Sequence, residues 1–172
     1  MTRHYSILLI AALGSVCAAQ TQNANQFSTE VKQLYTGIKN NLMKAAEKMP
    51  EENYSFKAVP EVRPFGHLVA HVADSQMRGC AAVKGEKVSP DAASKTSKAD
   101  LVAALKASFD YCDGAYDSLT DATATQMVAT FRGQRTKLAA LYGNVSHDNE
   151  MYGTMAVYMR LKGLVPPSSE GR

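Results

Sequence analysis

The chain has 172 residues and a formal net charge of +3 at neutral pH. This length suits one domain with one well-formed core. The near-balanced charge gives no reason to expect a nucleic-acid partner.

The first 19 residues have the pattern of a secretory signal peptide. A short polar start precedes an apolar run from Ile7 to Val16, and small residues follow. The run is shorter than the roughly 20 residues of a membrane-spanning helix, and no later stretch is continuously apolar, so we expect no membrane span in the mature chain. We predict export, to the periplasm or out of the cell, after cleavage following Ala19. The alternative is a lipid on Cys17, although Val16 is bulkier than the residue that usually precedes such a cysteine.

Four later stretches show the apolar repeat of helices. They run from Phe27 to Met49, Val62 to Val83, Leu101 to Leu119, and about Arg135 to Lys162. Pro50, Gly85 and Gly163 end three of them, and Ser97 or Thr96 can cap the third helix at its start. Residues 131 to 134 suggest a short irregular passage, and no alternating strand pattern is found. The sequence predicts an all-α, antiparallel four-helix bundle over residues 20 to 165, with a flexible tail at 166 to 172.

Two cysteines remain after the predicted cleavage. Cys80 and Cys112 lie on the apolar stripes of the second and third helices. An exported protein folds where disulfides form, and these stripes could meet across the core at bonding distance. We predict a disulfide, with two buried free thiols as the alternative.

Three histidines also remain. His67 and His71 lie one turn apart on the second predicted helix, and neutral imidazole is a common ligand of transition metals. Two ligands do not close a metal site, so ordinary surface histidines are the alternative. The helical wheel places His67 nearly opposite the apolar stripe, facing solvent, and places His71 on the flank of the stripe.

The third histidine, His147, lies on the last predicted helix. Met151 follows on the same line of the helix and Glu150 lies beside it, so this helix could bring a ligand toward His71. The Met151 thioether is a soft donor that suits copper(I) better than zinc, while its alternative role is core packing. The sequence contains no phosphate-binding loop, nucleophile elbow or glycosidase carboxylate pair.

Three segments carry a resemblance to a known family. They are MPEENYSFKAVPEVRPFGHLVAHVADSQ, FDYCDGAYD and HDNEMYGTMAVYMRLKGLVPPSSE. The chain resembles the exported branch of the DinB-like superfamily over nearly all of its mature length. The last segment is the most specific, because the family shows a His-x-x-x-His helix followed by Tyr-Gly, Tyr-x-Arg and Gly-x-x-Pro-Pro. The matching residues are His147, Met151, Tyr152, Gly153, Tyr158, Arg160, Gly163, Pro166 and Pro167.

The resemblance implies a bundle that holds one divalent metal ion, such as zinc or nickel, with three histidines. His71 and His147 match two of the ligand positions. Met151 stands at the third, so the implied site is degenerate. His67 and Glu150 are the alternative substitute ligands, since a carboxylate joins two histidines in many zinc sites.

The resemblance leaves the activity open. A degenerate site favours an exported protein that keeps the fold and binds a small molecule or a partner. The alternative is an active metal-dependent hydrolase or thiol transferase that uses a substitute ligand, in which the metal activates water or a thiol. No side chain is assigned a catalytic role, and a homodimer is compatible with the sequence.

Overall fold

Four long helices dominate the computed structural model, which describes residues 24–171. The elements in chain order are α1 (Gln26–Lys48), α2 (Phe65–Lys84), α3 (Lys98–Asp117), α4 (Asp121–Ala124), β1 (Met127–Thr130), β2 (Gly133–Thr136) and α5 (Lys137–Leu161). The predicted four-helix bundle is therefore confirmed. The predicted signal peptide, its cleavage site and Cys17 lie outside the described residues. Among residues 24–171, no helix is both long and apolar enough to cross a bilayer.

The first helix shows how the sequence produces these elements. Its inward side chains recur every three or four residues, at Val31, Tyr35, Ile38, Leu42 and Ala45. This spacing places them on one face, which packs into the core. The Asp121 carboxylate of α4 accepts the N–H groups of Phe27 and Ser28 at 3.1 and 2.8 Å. A negative charge at this end of α1 is favourable because the free N–H groups make it electropositive.

The helix ends follow from local signals. The Ser97 hydroxyl accepts the Asp100 N–H at 3.1 Å and caps α3. Gly85 follows α2 with φ 73°, and Gly163 follows α5 with φ 72°. This left-handed conformation ends helices and favours glycine, so the predicted helix stops are confirmed.

The helices form a ring in which α3 and α5 each lie between α1 and α2. α2 runs parallel to α3, not antiparallel as the sequence predicted for neighbouring helices, because the loop between them returns along the bundle; Gly66 lies near Leu101 at their starts and Cys80 meets Cys112 near their ends. In this loop the Ala92 N–H donates to Asp74 at 2.8 Å. α2 runs antiparallel to α5, since Gln76 late in α2 contacts Asn144 early in α5. α1 runs parallel to α5. Opposite running directions therefore bring the middle of α2 against the middle of α5.

A β-hairpin precedes α5, where the sequence suggested an irregular passage. β1 pairs antiparallel with β2 from Met127↔Thr136 to Thr130↔Gly133, and Gly133 has φ 90°. Each strand has only four residues. An alternation this short does not stand out from the surrounding helical pattern.

Residues 166–171 pack against the bundle, where a flexible tail was expected. The Ser168 N–H donates to the Tyr152 hydroxyl at 2.9 Å. The Lys48 ammonium lies 2.5 Å from the Glu170 carboxylate. Small polar residues and prolines suggest disorder, but here they contact partners on α1 and α5 that a local pattern does not show.

The two cysteines meet in the core. Cys80 on α2 and Cys112 on α3 are fully buried, form a disulfide and have Cα atoms 5.3 Å apart. The predicted meeting of their apolar stripes across the bundle is confirmed.

Candidate metal centre

Two of the predicted site residues come together. His71 on α2 and His147 on α5 have their Nε2 atoms 3.0 Å apart. Their ring centroids are 5.0 Å apart and the ring planes are inclined by 65°. The His147 side chain is 22% exposed and His71 is half-buried, so solvent or a small ligand can reach the pair.

The separation of the two nitrogens fits ligands of one metal ion. Nitrogens about 2.0–2.1 Å from a common ion lie about 2.8–3.4 Å apart when the angle at the metal is about 90–109°. The observed 3.0 Å falls in this interval. The same distance also suits a hydrogen bond from one neutral ring to the other. Burial and the neighbouring His147 lower the pKa of His71, which favours the neutral ring that either arrangement needs.

A buried carboxylate lies on the other side of His147. Asp148 is fully buried, and neither carboxylate oxygen has a hydrogen-bond partner among the described residues. Its Oδ1 is 3.5 Å from His147 Nδ1, which is longer than a hydrogen bond. Burial raises the pKa of Asp148 to about 6, while His147 opposes the rise.

This carboxylate matters for the chemistry of the pair. A carboxylate that accepts the Nδ1–H of a histidine orients the ring and leaves Nε2 free to bind a metal, and Asp148 lies just beyond that distance from His147. Asp148 was missed at the level of sequence, because one Asp on a helix usually faces solvent. Asp148 is buried behind His147 without a hydrogen-bond partner among the described residues. A cation bound at the two histidines would offset its negative charge.

The close approach of α2 and α5 holds His71 against His147. Asn144 donates through its amide to Gln76 Oε1 at 3.1 Å, and both side chains are buried. Gly79 makes room for this contact, because a Cβ at Gly79 would clash with the Asn144 amide. The Gln76 Nε2 atom has no partner within residues 24–171. These polar residues, also missed from sequence, hold the two helices at contact distance about one turn from the histidines.

The three predicted substitute ligands occupy different environments. Met151 is 8% exposed and packs in the core, whereas Glu150 and His67 are exposed. His67 lines a separate cleft of about 440 Å³, together with Tyr54 and Leu101. No group of three His, Cys, Asp or Glu side chains that could hold a metal occurs in the described part of the chain. Metal binding by His71 and His147 stays a prediction.

Comparison with known proteins gives the class of this fold. Residues 34–155 match the family model of the DinB superfamily, and the chain therefore belongs to this superfamily. Comparison of the sequence with curated proteins finds no match.

Solved structures share the fold. A DinB-like protein from Bacillus cereus ATCC 10987 is 20% identical with a TM-score of 0.68, and the match covers 81% of this chain and 95% of that one. A conserved protein from Enterococcus faecalis is 13% identical with a TM-score of 0.64, over 78% and 95% of the two chains. A mycothiol-dependent maleylpyruvate isomerase is 16% identical with a TM-score of 0.62, over 74% of this chain and 60% of that one. At these identities the likeness shows the fold alone.

Proposed function

We propose that this DinB-like protein binds one transition-metal ion through His71 and His147, in a degenerate form of a three-histidine site. The 3.0 Å separation of the two Nε2 atoms carries the proposal. The buried, unpartnered Asp148 carboxylate on the Nδ1 side of His147 supports it, because a cation would offset its charge.

The roles of the residues follow from this arrangement. His71 and His147 would hold the ion through Nε2, and the negative charge of Asp148, 3.5 Å from His147 Nδ1, would offset the charge of the ion. A bound ion supplies Lewis acidity to any ligand in its open positions. The half-exposed histidines leave that side open to a small molecule. Because a third imidazole is absent, we propose a metal-dependent binding protein rather than an enzyme.

Metal content tests the proposal. The protein is purified without chelator, dialysed against zinc, nickel or copper, and analysed for bound metal. We expect about one ion per chain in the wild type, since one imidazole pair forms one site, and loss of the ion in His71→Ala and in His147→Ala. His67→Ala is the matched control, because His67 lies one turn from His71 but is exposed. Absence of metal in every sample, or equal metal in all four proteins, would contradict the proposal.

A second candidate function is metal-dependent chemistry on a thiol or a hydrolysable substrate. The observation that favours it is the fold shared with a mycothiol-dependent isomerase, whose name ties its reaction to a thiol. Cobalt(II) loaded into the site would report on this directly. A new sulfur-to-cobalt absorption band on adding a small thiol supports a thiol substrate, and an unchanged spectrum speaks against it.

Export is a separate part of the proposal. We infer that residues 1–19 are removed on secretion. The buried Cys80–Cys112 pair supports this, since such bonds persist mainly outside the cytoplasm. Intact mass and N-terminal sequencing of the protein from extracytoplasmic fractions should show a chain beginning at Gln20. A membrane-bound, lipid-modified form beginning at Cys17 would replace the cleavage prediction, and an uncleaved cytoplasmic chain would contradict export.

A further inference from the structure

We infer that the ion selected by this site is copper(I), with the thioether sulfur of Met151 as the third ligand. The inference rests on the proposed metal binding by His71 and His147. It adds which ion binds and which side chain sets the metal preference of the site.

The position of Met151 on α5 favours this role. It lies one turn after His147 on α5, and side chains four residues apart on a helix share a face with Cβ atoms about 5–6 Å apart. His147 uses this face to contact His71. Met151 is 8% exposed, so its side chain packs in the bundle rather than in solvent. Three rotatable bonds let the thioether adjust toward an ion between the two imidazoles.

The surrounding donors supply no better third ligand. Asp148 lies on the Nδ1 side of His147, opposite the Nε2 atom that faces His71. Glu150 is exposed. Within residues 24–171, no cluster adds a third His, Cys, Asp or Glu to the pair. The donors available to one ion are therefore two neutral imidazoles and a neutral thioether.

This donor set distinguishes between ions. Zinc sites use imidazole, thiolate or carboxylate, and structural zinc is four-coordinate. Thioether is a soft ligand that selects copper(I). An ion with a single positive charge also suits a neutral ligand set, because burying an uncompensated divalent charge costs more. Replacing an imidazole by Met151 therefore shifts the preference from a divalent ion toward copper(I).

Competition titrations test this under oxygen-free conditions. Copper(I) is titrated into the protein against bathocuproine disulfonate, and zinc against a colorimetric zinc chelator. Met151→Leu removes the sulfur at similar volume, so it should weaken copper(I) binding about tenfold or more. Zinc affinity should change by no more than about twofold, since zinc gains little from a thioether. Met155→Leu is the control, because Met155 is also buried on α5, one turn further along.

A complementary variant gives the reverse test. Met151→His should strengthen zinc binding and reduce the preference for copper(I). X-ray absorption at the copper edge should show a sulfur neighbour in the wild type and in Met155→Leu, but none in Met151→Leu. Circular dichroism checks that each variant keeps its helices.

The outcomes distinguish the copper(I) inference from the proposal that His71 and His147 bind a metal ion. If zinc and copper(I) bind but Met151→Leu changes neither affinity, the copper(I) inference is overturned and the two-histidine proposal stands. If neither ion binds the wild type, both are overturned. The inference is supported if Met151→Leu loses the copper–sulfur signal and copper(I) affinity while Met155→Leu keeps both.

Discussion

The buried carboxylate of Asp148 makes the stability of the metal-free protein depend on pH. Burial raises its pKa from 3.8 to about 6, and each pKa unit corresponds to about 1.4 kcal/mol. Ionisation therefore costs the folded state about 3 kcal/mol. Below the unfolded-state pKa both states are protonated and there is no cost. As the pH rises toward 6 the unfolded chain loses its proton first, so the free energy of unfolding falls.

Asp148→Asn removes this ionisation while keeping the shape of the side chain. At about pH 8 the variant should gain up to about 3 kcal/mol in unfolding free energy relative to the wild type, and near pH 4 this gain should almost disappear. Urea unfolding followed by circular dichroism, with chelator present, measures both. Asp117→Asn is the control, because Asp117 pairs with Lys32 at an exposed site and should change stability little at either pH. A variant that is less stable at pH 8 by the same amount as at pH 4 would refute the reasoning, since the charged carboxylate would then have favourable partners.

Two further predictions concern the packing of α2. Reducing the Cys80–Cys112 bond, which spans 32 residues of sequence, should lower the unfolding free energy by about 3–4 kcal/mol, because the unfolded chain gains loop entropy. Urea unfolding with and without reductant measures this difference. Unchanged unfolding midpoints would mean that the bond is absent in the purified protein. Gly79→Ala should destabilise by about 1–3 kcal/mol, because its Cβ would clash with Asn144. Gly143→Ala on α5 meets no atom within 4 Å and should instead stabilise by about 0.5–1 kcal/mol in the same thermal or urea assay. Equal effects at the two glycines would contradict the close approach of α2 and α5.

Local signals in the sequence determined the helices and their ends. The apolar repeats predicted four helices, because side chains three and four residues apart share one helix face. Glycine after α2 and α5 and Ser97 before α3 marked helix boundaries, since each satisfies or relieves backbone groups at a helix end. The same repeats placed Cys80 and Cys112 on core faces. They also placed His67 on the outside, where the structure has it.

Tertiary packing decided the rest. Which helices are neighbours and which run parallel depends on the return path of the α2–α3 loop, and periodicity within one helix carries no information about its partner. Contact between His71 and His147, 76 residues apart, requires that α2 and α5 run antiparallel at matching heights. The burial of Asp148 depends on the same packing, because whether a carboxylate on α5 meets solvent or the core is set by the helices that cover it.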